Sequence, residues 1–157
     1  MTPTAEQWTG LAILTESAQP HEWWPVAWAI RNRIESRRYP NTAEEVILQA
    51  SQFSRFRDWR QELVEGGPQA VWDAAMAWVA KDKNETRLKA ATACAAEVLS
   101  AMPWHRPFSA ATVFYYSPQS MIPPMSKPVW WDSEVLCDVT PAGINPVRFR
   151  FGEAKRG

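Results

Sequence analysis

Apolar side chains in the first part of the chain recur at the spacing of an amphipathic helix. Thr4 and Gln7 come just before this stripe with the spacing of a capping box, in which each side chain satisfies a free backbone N–H of the first helical turn. The pattern therefore predicts a first helix that begins after Thr4 and is ended by Pro20. Its apolar stripe comprises Trp8, Leu11, Ala12 and Thr15.

Further helices are predicted up to Pro103, where the composition changes. Thr42 and Glu45 repeat the capping-box spacing and mark the start of one of them. Two glycines and a proline in residues 65–68 predict a break, and residues 51–60 indicate a loop or a short helix. The predicted helices cover residues 23–38, the segment after Thr42, residues 68–81 and residues 85–101.

Beyond Pro103 the pattern becomes strand-like. Residues 111–116 have the aromatic and β-branched composition of a strand, and residues 147–151 alternate in the manner of an edge strand. Four prolines make residues 117–131 irregular. We therefore predict a single domain over residues 1–157 of mainly α (α+β) class, with a small β and loop flap near the C-terminus.

The overall charge excludes functions that depend on a strong electrostatic field. Lys plus Arg and Asp plus Glu both number 17, so we predict neither nucleic acid nor a membrane as partner. The basic clusters at residues 31–38 and 55–60 are interpreted as solvated helix faces. No apolar run approaches the roughly 18 residues of a membrane span. The N-terminal segment also lacks the features of a secretory signal.

Cysteine and histidine are too few and too scattered to predict a metal centre. The chain has two of each, and no pair has the spacing of zinc ligands, so we predict no metal and no cofactor. A disulfide between Cys94 and Cys137 stays open at this point.

One carboxylate, Glu16, lies where the apolar stripe of the first helix ends. It follows Ala12 and Ile13 at helical spacing, at the edge of the apolar face and near the helix C-terminus. Loss of water and the negative end of the helix dipole both raise the pKa of a carboxylic acid. An acid still protonated near neutral pH can donate its proton to a glycosidic oxygen, which makes Glu16 a candidate general acid. From the local pattern alone, a solvated surface charge is the alternative.

Short segments in a fixed order connect Glu16 to a known family. They are "LAILTES" (11–17), "VAWAIRNRIES" (26–36), "YPNT" (39–42), "EEVI" (44–47), "QFSRF" (52–56), "ATVFYYSP" (111–118) and "KPVWW" (127–131). In this ordered set the sequence resembles the SleB-type cell-wall hydrolase family, named for the bacterial spore-cortex-lytic enzymes.

The resemblance implies a lysozyme-like fold and cleavage of peptidoglycan glycan strands. Characterised members look like lytic transglycosylases, which split the β-1,4 bond between N-acetylmuramic acid and N-acetylglucosamine and leave a 1,6-anhydromuramic end. The family's catalytic glutamate corresponds to Glu16. Ordinary glycosidases need two carboxylates. A transglycosylase needs only one, which first donates a proton and then helps the sugar's own 6-hydroxyl attack C1.

Other residues are expected to support this chemistry. Gln52 and Ser54 lie in the "QFS" segment and are predicted to hydrogen-bond sugar hydroxyls or N-acetyl groups. If residues 111–116 form a strand, its two tyrosines point to opposite sides, so one of them can face the cleft. Either tryptophan of the adjacent pair near residue 130 can stack on a saccharide. These substrate-binding candidates are Tyr115, Tyr116 and Trp131, or its neighbour Trp130.

Two alternatives to the transglycosylase remain open from the sequence. The family's Ala-Arg-Gly-Glu run is replaced here by "SAQPHE" (17–22), so Glu22 is a possible second acid, as a muramidase-type hydrolase would need. The other alternative is a non-catalytic structural or adaptor protein with a lysozyme-like fold, whose tryptophans bind virion proteins. The missing signal features favour a phage-encoded endolysin or virion-associated enzyme. It would reside in the virion or the host cytoplasm and act on the cell wall in the periplasm.

Overall fold

The computed structural model describes residues 2–49 and 53–155. Within these ranges three strands form one antiparallel sheet, β1 (Thr112–Tyr116), β2 (Val135–Asp138) and β3 (Arg150–Ala154). The mainly helical α+β class, with a small sheet near the C-terminus, is confirmed. The α-helices of the described residues are α1 (Ala5–Glu16), α2 (Trp23–Glu35), α3 (Ala43–Leu48), α4 (Arg60–Lys81), α5 (Glu85–Ser100) and α6 (Trp131–Glu134).

Helix α1 forms the centre of the core. Its predicted capping box is confirmed, because the Thr4 hydroxyl accepts from the Gln7 backbone N–H at 3.2 Å and the Gln7 side chain accepts from the Thr4 N–H at 2.8 Å. The helix lies directly against α5, where a Cβ on Gly10 would come within 2.6 Å of the Thr92 Cα. Only glycine allows this close approach, and α1 then continues to Glu16.

The other helices follow the sequence pattern closely, and the main difference is in α4. Thr42 caps α3 as predicted, accepting from the Glu45 N–H at 3.2 Å. The predicted break near residue 67 is a kink inside α4, where Gly67 has φ 72° and is followed by Pro68. Helix therefore continues on both sides of the glycine instead of starting after it.

The prediction that residues 147–151 form an edge strand is wrong. The strand order is β1-β3-β2, so β3 is central and starts at Arg150. It pairs Phe151 with Tyr115 of β1 on one side, and Glu153 with Cys137 of β2 on the other. Alternation along a strand reports which of its faces is buried, and it carries no information on how many neighbouring strands pair with it.

The interpretation of residues 31–38 as a solvated face is wrong for two of the arginines. Arg33 is only 4% exposed, and its Nε donates to the Val113 carbonyl at 2.7 Å. Arg31 donates to the Val98 and Ala101 carbonyls at the C-terminal end of α5, at 2.8 and 2.6 Å. Both guanidinium groups therefore bind backbone carbonyls of other elements, Arg31 at the C-terminal end of α5 and Arg33 on β1.

The cysteines do not form the disulfide that the sequence left open. Cys94 and Cys137 are both free thiols, the first half-buried and the second exposed. Across residues 2–49 and 53–155, no helix has the length and apolarity needed to cross a membrane. The same ranges contain no group of three or more His, Cys, Asp or Glu that could hold a metal ion.

Candidate functional site

A cleft of about 450 Å³ opens at the C-terminal end of α1. The helical part of the molecule forms one wall, with Glu16 from α1 and Arg57 from the 3-10 helix after residue 54. The other wall comes from β1, from residues 117–121 that follow it, and from residues 148–149 just before β3. The described lining residues are Thr15, Glu16, Ser54, Arg57, Tyr115, Tyr116, Ser117, Gln119, Ser120, Met121, Arg148 and Phe149.

Glu16 has the protonation behaviour that a general acid needs. Burial raises its pKa from 4.5 to about 7, against the lowering influence of the Arg33 guanidinium, the Tyr115 hydroxyl and Arg57. Desolvation of the carboxyl therefore outweighs two nearby cations. Close to neutral pH a large fraction of Glu16 carries a proton that it can donate into the cleft.

Tyr115 places a hydroxyl next to this carboxyl. Burial and the proximity of Glu16 hold the pKa of Tyr115 well above its ordinary value, so the phenol stays protonated and remains a donor. Its buried oxygen faces the Glu16 carboxyl, and a hydrogen bond between the two groups favours the ionised form of Glu16. At the wall of the cleft, Tyr115 is therefore placed to stabilise the carboxylate that Glu16 forms when it gives up its proton.

Glu22 is fully buried and engaged in an ion pair. Arg148 donates to its two carboxylate oxygens at 2.7 and 3.0 Å, and the Ser17 hydroxyl makes a further short hydrogen bond to it. These hydrogen bonds lower the pKa of Glu22 despite its burial. Glu22 thus stays ionised and accepts hydrogen bonds from both sides. It links Ser17, the residue after Glu16, to Arg148 on the opposite wall of the cleft.

Glu16 is the only carboxylic acid among the described residues that line the cleft. The cleft combines one acid of raised pKa, a protonated phenol and two arginines. This arrangement can protonate a leaving oxygen and stabilise the negative charge that then remains on the carboxylate.

Comparison with known families agrees with this arrangement. The sequence model described as Cell Wall Hydrolase matches residues 19–143, most of the chain. The chain belongs to the Cell Wall Hydrolase family. No curated protein and no solved structure matches it in the corresponding searches.

Membership of the Cell Wall Hydrolase family supports peptidoglycan-degrading activity, with peptidoglycan as substrate. The resemblance recognised from the sequence is confirmed at the level of this family. The matched range starts at Gln19, after the end of α1, and includes Glu22, α2, α3 and β1. The role of Glu16 therefore depends on the cleft geometry described above.

The structure brings together some of the candidates for substrate contact in this cell wall hydrolase and separates others. Ser54, Tyr115 and Tyr116 line the cleft beside Glu16. Gln52 lies outside the described residues. Trp131 is 8% exposed and does not line the cleft; its indole packs against the Tyr116 ring with centroids 4.9 Å apart.

Sequence reasoning missed several residues of the cleft, among them two arginines and a glutamine. Arg57 lies in a basic cluster interpreted as a solvated face, and Arg148 in a segment interpreted only as a strand. Gln119 lies in the proline-rich segment, where its backbone N–H donates to the Val147 carbonyl at 3.0 Å. The arginines of "VRFRF" were the available signal for Arg148, which lies in the turn just before β3.

Asn32 explains how the tyrosine-bearing strand is held against the helices. Its side-chain amide donates to the Ser109 and Thr112 carbonyls at 3.1 and 2.9 Å. Its carbonyl oxygen accepts from Arg106 at 2.7 Å. Asn32 is buried away from the cleft and positions β1, and hence Tyr115, opposite Glu16.

Proposed function

We propose that this chain is a lytic transglycosylase that cleaves the β-1,4 bond between N-acetylmuramic acid and N-acetylglucosamine, with Glu16 as the sole acid and base. One observation carries the proposal: Glu16 is the only carboxylic acid in the described cleft lining. Inverting and retaining glycosidases use two carboxyl groups across the scissile bond. Glu22 cannot easily be the second, because it is fully buried and paired with Arg148.

In the first step, protonated Glu16 donates its proton to the glycosidic oxygen of the leaving N-acetylglucosamine. The bond between C1 of the muramic acid and that oxygen breaks, and positive charge develops at C1. Glu16, now a carboxylate, stabilises this charge. The Arg33 and Arg57 guanidinium groups and the Tyr115 hydroxyl, which favour its ionised form, stabilise the carboxylate in turn.

In the second step, the Glu16 carboxylate takes the proton of the muramic acid 6-hydroxyl while O6 bonds to C1. This produces the 1,6-anhydro sugar, returns Glu16 to its protonated form and consumes no water. The raised pKa of Glu16 suits both steps, because an acid–base group works best when its pKa is close to the working pH.

The decisive experiment compares wild type with Glu16→Gln on purified peptidoglycan. The variant should stay folded and lose roughly 10²- to 10⁴-fold in rate, the usual contribution of a positioned acid–base group. Glu6→Gln, at the other end of the same helix, is the matched control and should retain full activity. Mass spectrometry of the wild-type digest should show muropeptides that lack one water.

Other outcomes select other functions. Reducing-end muramic acid in the digest would indicate a muramidase-type hydrolase with a second carboxylate. Equal wall degradation by wild type and Glu16→Gln, together with tight binding to a virion protein, would identify an adaptor. We also propose that the protein comes from a phage and acts in the periplasm. This is checked by testing purified virions and lysates of infected host cells for the presence of the protein.

A further inference from the structure

A second cavity of about 280 Å³ adjoins the catalytic cleft, because Tyr115 lines both. It lies beyond the C-terminal end of α2, between that helix, β1 and α6. Besides Arg33, its walls are formed by Arg38, Tyr39, Phe114, Tyr115, Trp130 and Glu134. We call it the distal cavity.

The distal cavity offers aromatic faces with a polar rim. The rings of Phe114 and Trp130 lie with centroids 5.3 Å apart at 33°, and both side chains are partly exposed. Arg38 lies over Phe114 at 5.7 Å and donates to Glu134 at 3.0 Å. Flat apolar surfaces beside a few hydrogen-bonding groups are typical of sites for pyranose rings, which have apolar faces and a polar edge.

The charge of the rim favours a sugar over a peptide carboxylate. Arg38 and Glu134 form an ion pair and neutralise each other, and the Arg33 guanidinium is directed to the Val113 carbonyl and to the Tyr115 and Tyr39 rings. A glycan strand held at Glu16 must also continue out of the cleft. The neighbouring cavity, which shares Tyr115 with the cleft, offers aromatic surface for the next part of such a strand.

We propose that the distal cavity is a saccharide subsite, which stacks a further sugar of the same glycan strand on Trp130. The proposal rests on the proposed function and adds the direction in which the strand leaves Glu16. It makes Trp130, not the buried Trp131, the indole that contacts substrate.

The test measures binding in the Glu16→Gln protein, so that cleavage does not interfere. The probes are β-1,4-linked N-acetylglucosamine oligosaccharides of three and of six sugars, titrated by calorimetry. The longer probe should bind more tightly because it reaches the distal cavity. Adding Trp130→Ala should weaken the longer probe about tenfold, the effect of losing roughly 1.4 kcal/mol of apolar contact, and leave the shorter one unchanged.

Two controls keep the result specific. Trp104→Ala removes an indole that is 75% exposed and lines neither cavity, and it should leave both affinities unchanged. Trp130→Phe keeps an aromatic face and should restore most of the binding, with thermal unfolding used to verify that each variant is folded.

Three results would overturn the proposal. One is Trp130→Ala binding the longer probe as its parent does. Another is equal affinity of the Glu16→Gln parent for the probes of three and of six sugars, because the longer strand would then gain nothing from the distal cavity. If the Glu16→Gln parent binds neither oligosaccharide, the proposed function itself loses its support, and this failure is distinct from the other two.

Discussion

At the scale of single residues, the pKa of Glu16 depends on opposing influences, of which burial is the largest. Burial favours the neutral acid, while Arg33, Tyr115 and Arg57 favour the carboxylate, and the result is a pKa of about 7. The sequence predicted the direction of this shift from the position of Glu16 at the edge of an apolar stripe. It did not predict the arginines, because they come from α2 and from the 3-10 helix, and their approach depends on tertiary packing.

This balance predicts how the pH profile responds to Arg57→Gln. The general acid must be protonated, so activity falls as the pH rises through the pKa of Glu16, near pH 7 in the wild type. Removing the Arg57 charge takes away a group that favours the carboxylate, so the pKa should rise and the alkaline limb of kcat/KM should move to higher pH. Arg57 is exposed, so the fold should tolerate the change.

The matched control for this profile is Arg55→Gln, which removes a neighbouring arginine paired with Asp58 and stacked on Trp78. Its alkaline limb should coincide with that of the wild type. A limb that stays in place or moves to lower pH in Arg57→Gln would show that Arg57 does not act on the catalytic acid.

At the scale of secondary-structure elements, the shape of the cleft depends on a polar contact between the end of α1 and the segment that leads into β3. In this contact the buried Glu22 accepts a hydrogen bond from Ser17 and forms an ion pair with Arg148. Sequence patterns predict each element from local spacing, and the capping box of α1 and the Thr42 N-cap of α3 show how reliable those local signals are. A contact between residues 22 and 148 has no local signature, so Glu22 was assigned a possible catalytic role that its ion pair disfavours.

Arg148→Ala should therefore destabilise the protein strongly. It leaves the carboxylate of Glu22 buried without its cation, and breaking such a pair costs about 3–5 kcal/mol. Chemical denaturation at neutral pH measures the loss. Arg150→Ala, two residues further on, removes a more exposed pair with Asp138 and should cost about 1 kcal/mol or less.

The pH dependence and a double variant separate this explanation from simple loss of packing. The deficit of Arg148→Ala should shrink as the pH falls, because protonation removes the buried charge. Adding Glu22→Gln should recover part of the stability at neutral pH. Equal losses in the free energy of unfolding for Arg148→Ala and Arg150→Ala would contradict this role of the Glu22–Arg148 pair.

At the scale of the whole molecule, the sheet and the helices share one apolar core, and aromatic rings of the sheet contact one another inside it. Phe151 of β3 is fully buried, with its ring centroid 5.7 Å from Tyr115 and 5.4 Å from Phe108. The sequence predicted the helices and the approximate place of the sheet because apolar periodicity reports burial. It misplaced β3 at an edge and missed β2, because strand order depends on which segments meet in three dimensions, and four residues are too few to show a period.

Phe151→Ala tests whether the aromatic contact carries both stability and the cleft wall. Deleting a fully buried phenylalanine costs about 3–5 kcal/mol, measured by denaturant unfolding. Leu136→Ala, on β2 of the same sheet but 59% exposed, should change stability by about 0.5 kcal/mol or less. Because Phe151 supports the ring of Tyr115, the variant should also lose activity under conditions where it is fully folded. Full activity of folded Phe151→Ala would show that the sheet covers the helical core without setting the position of Tyr115.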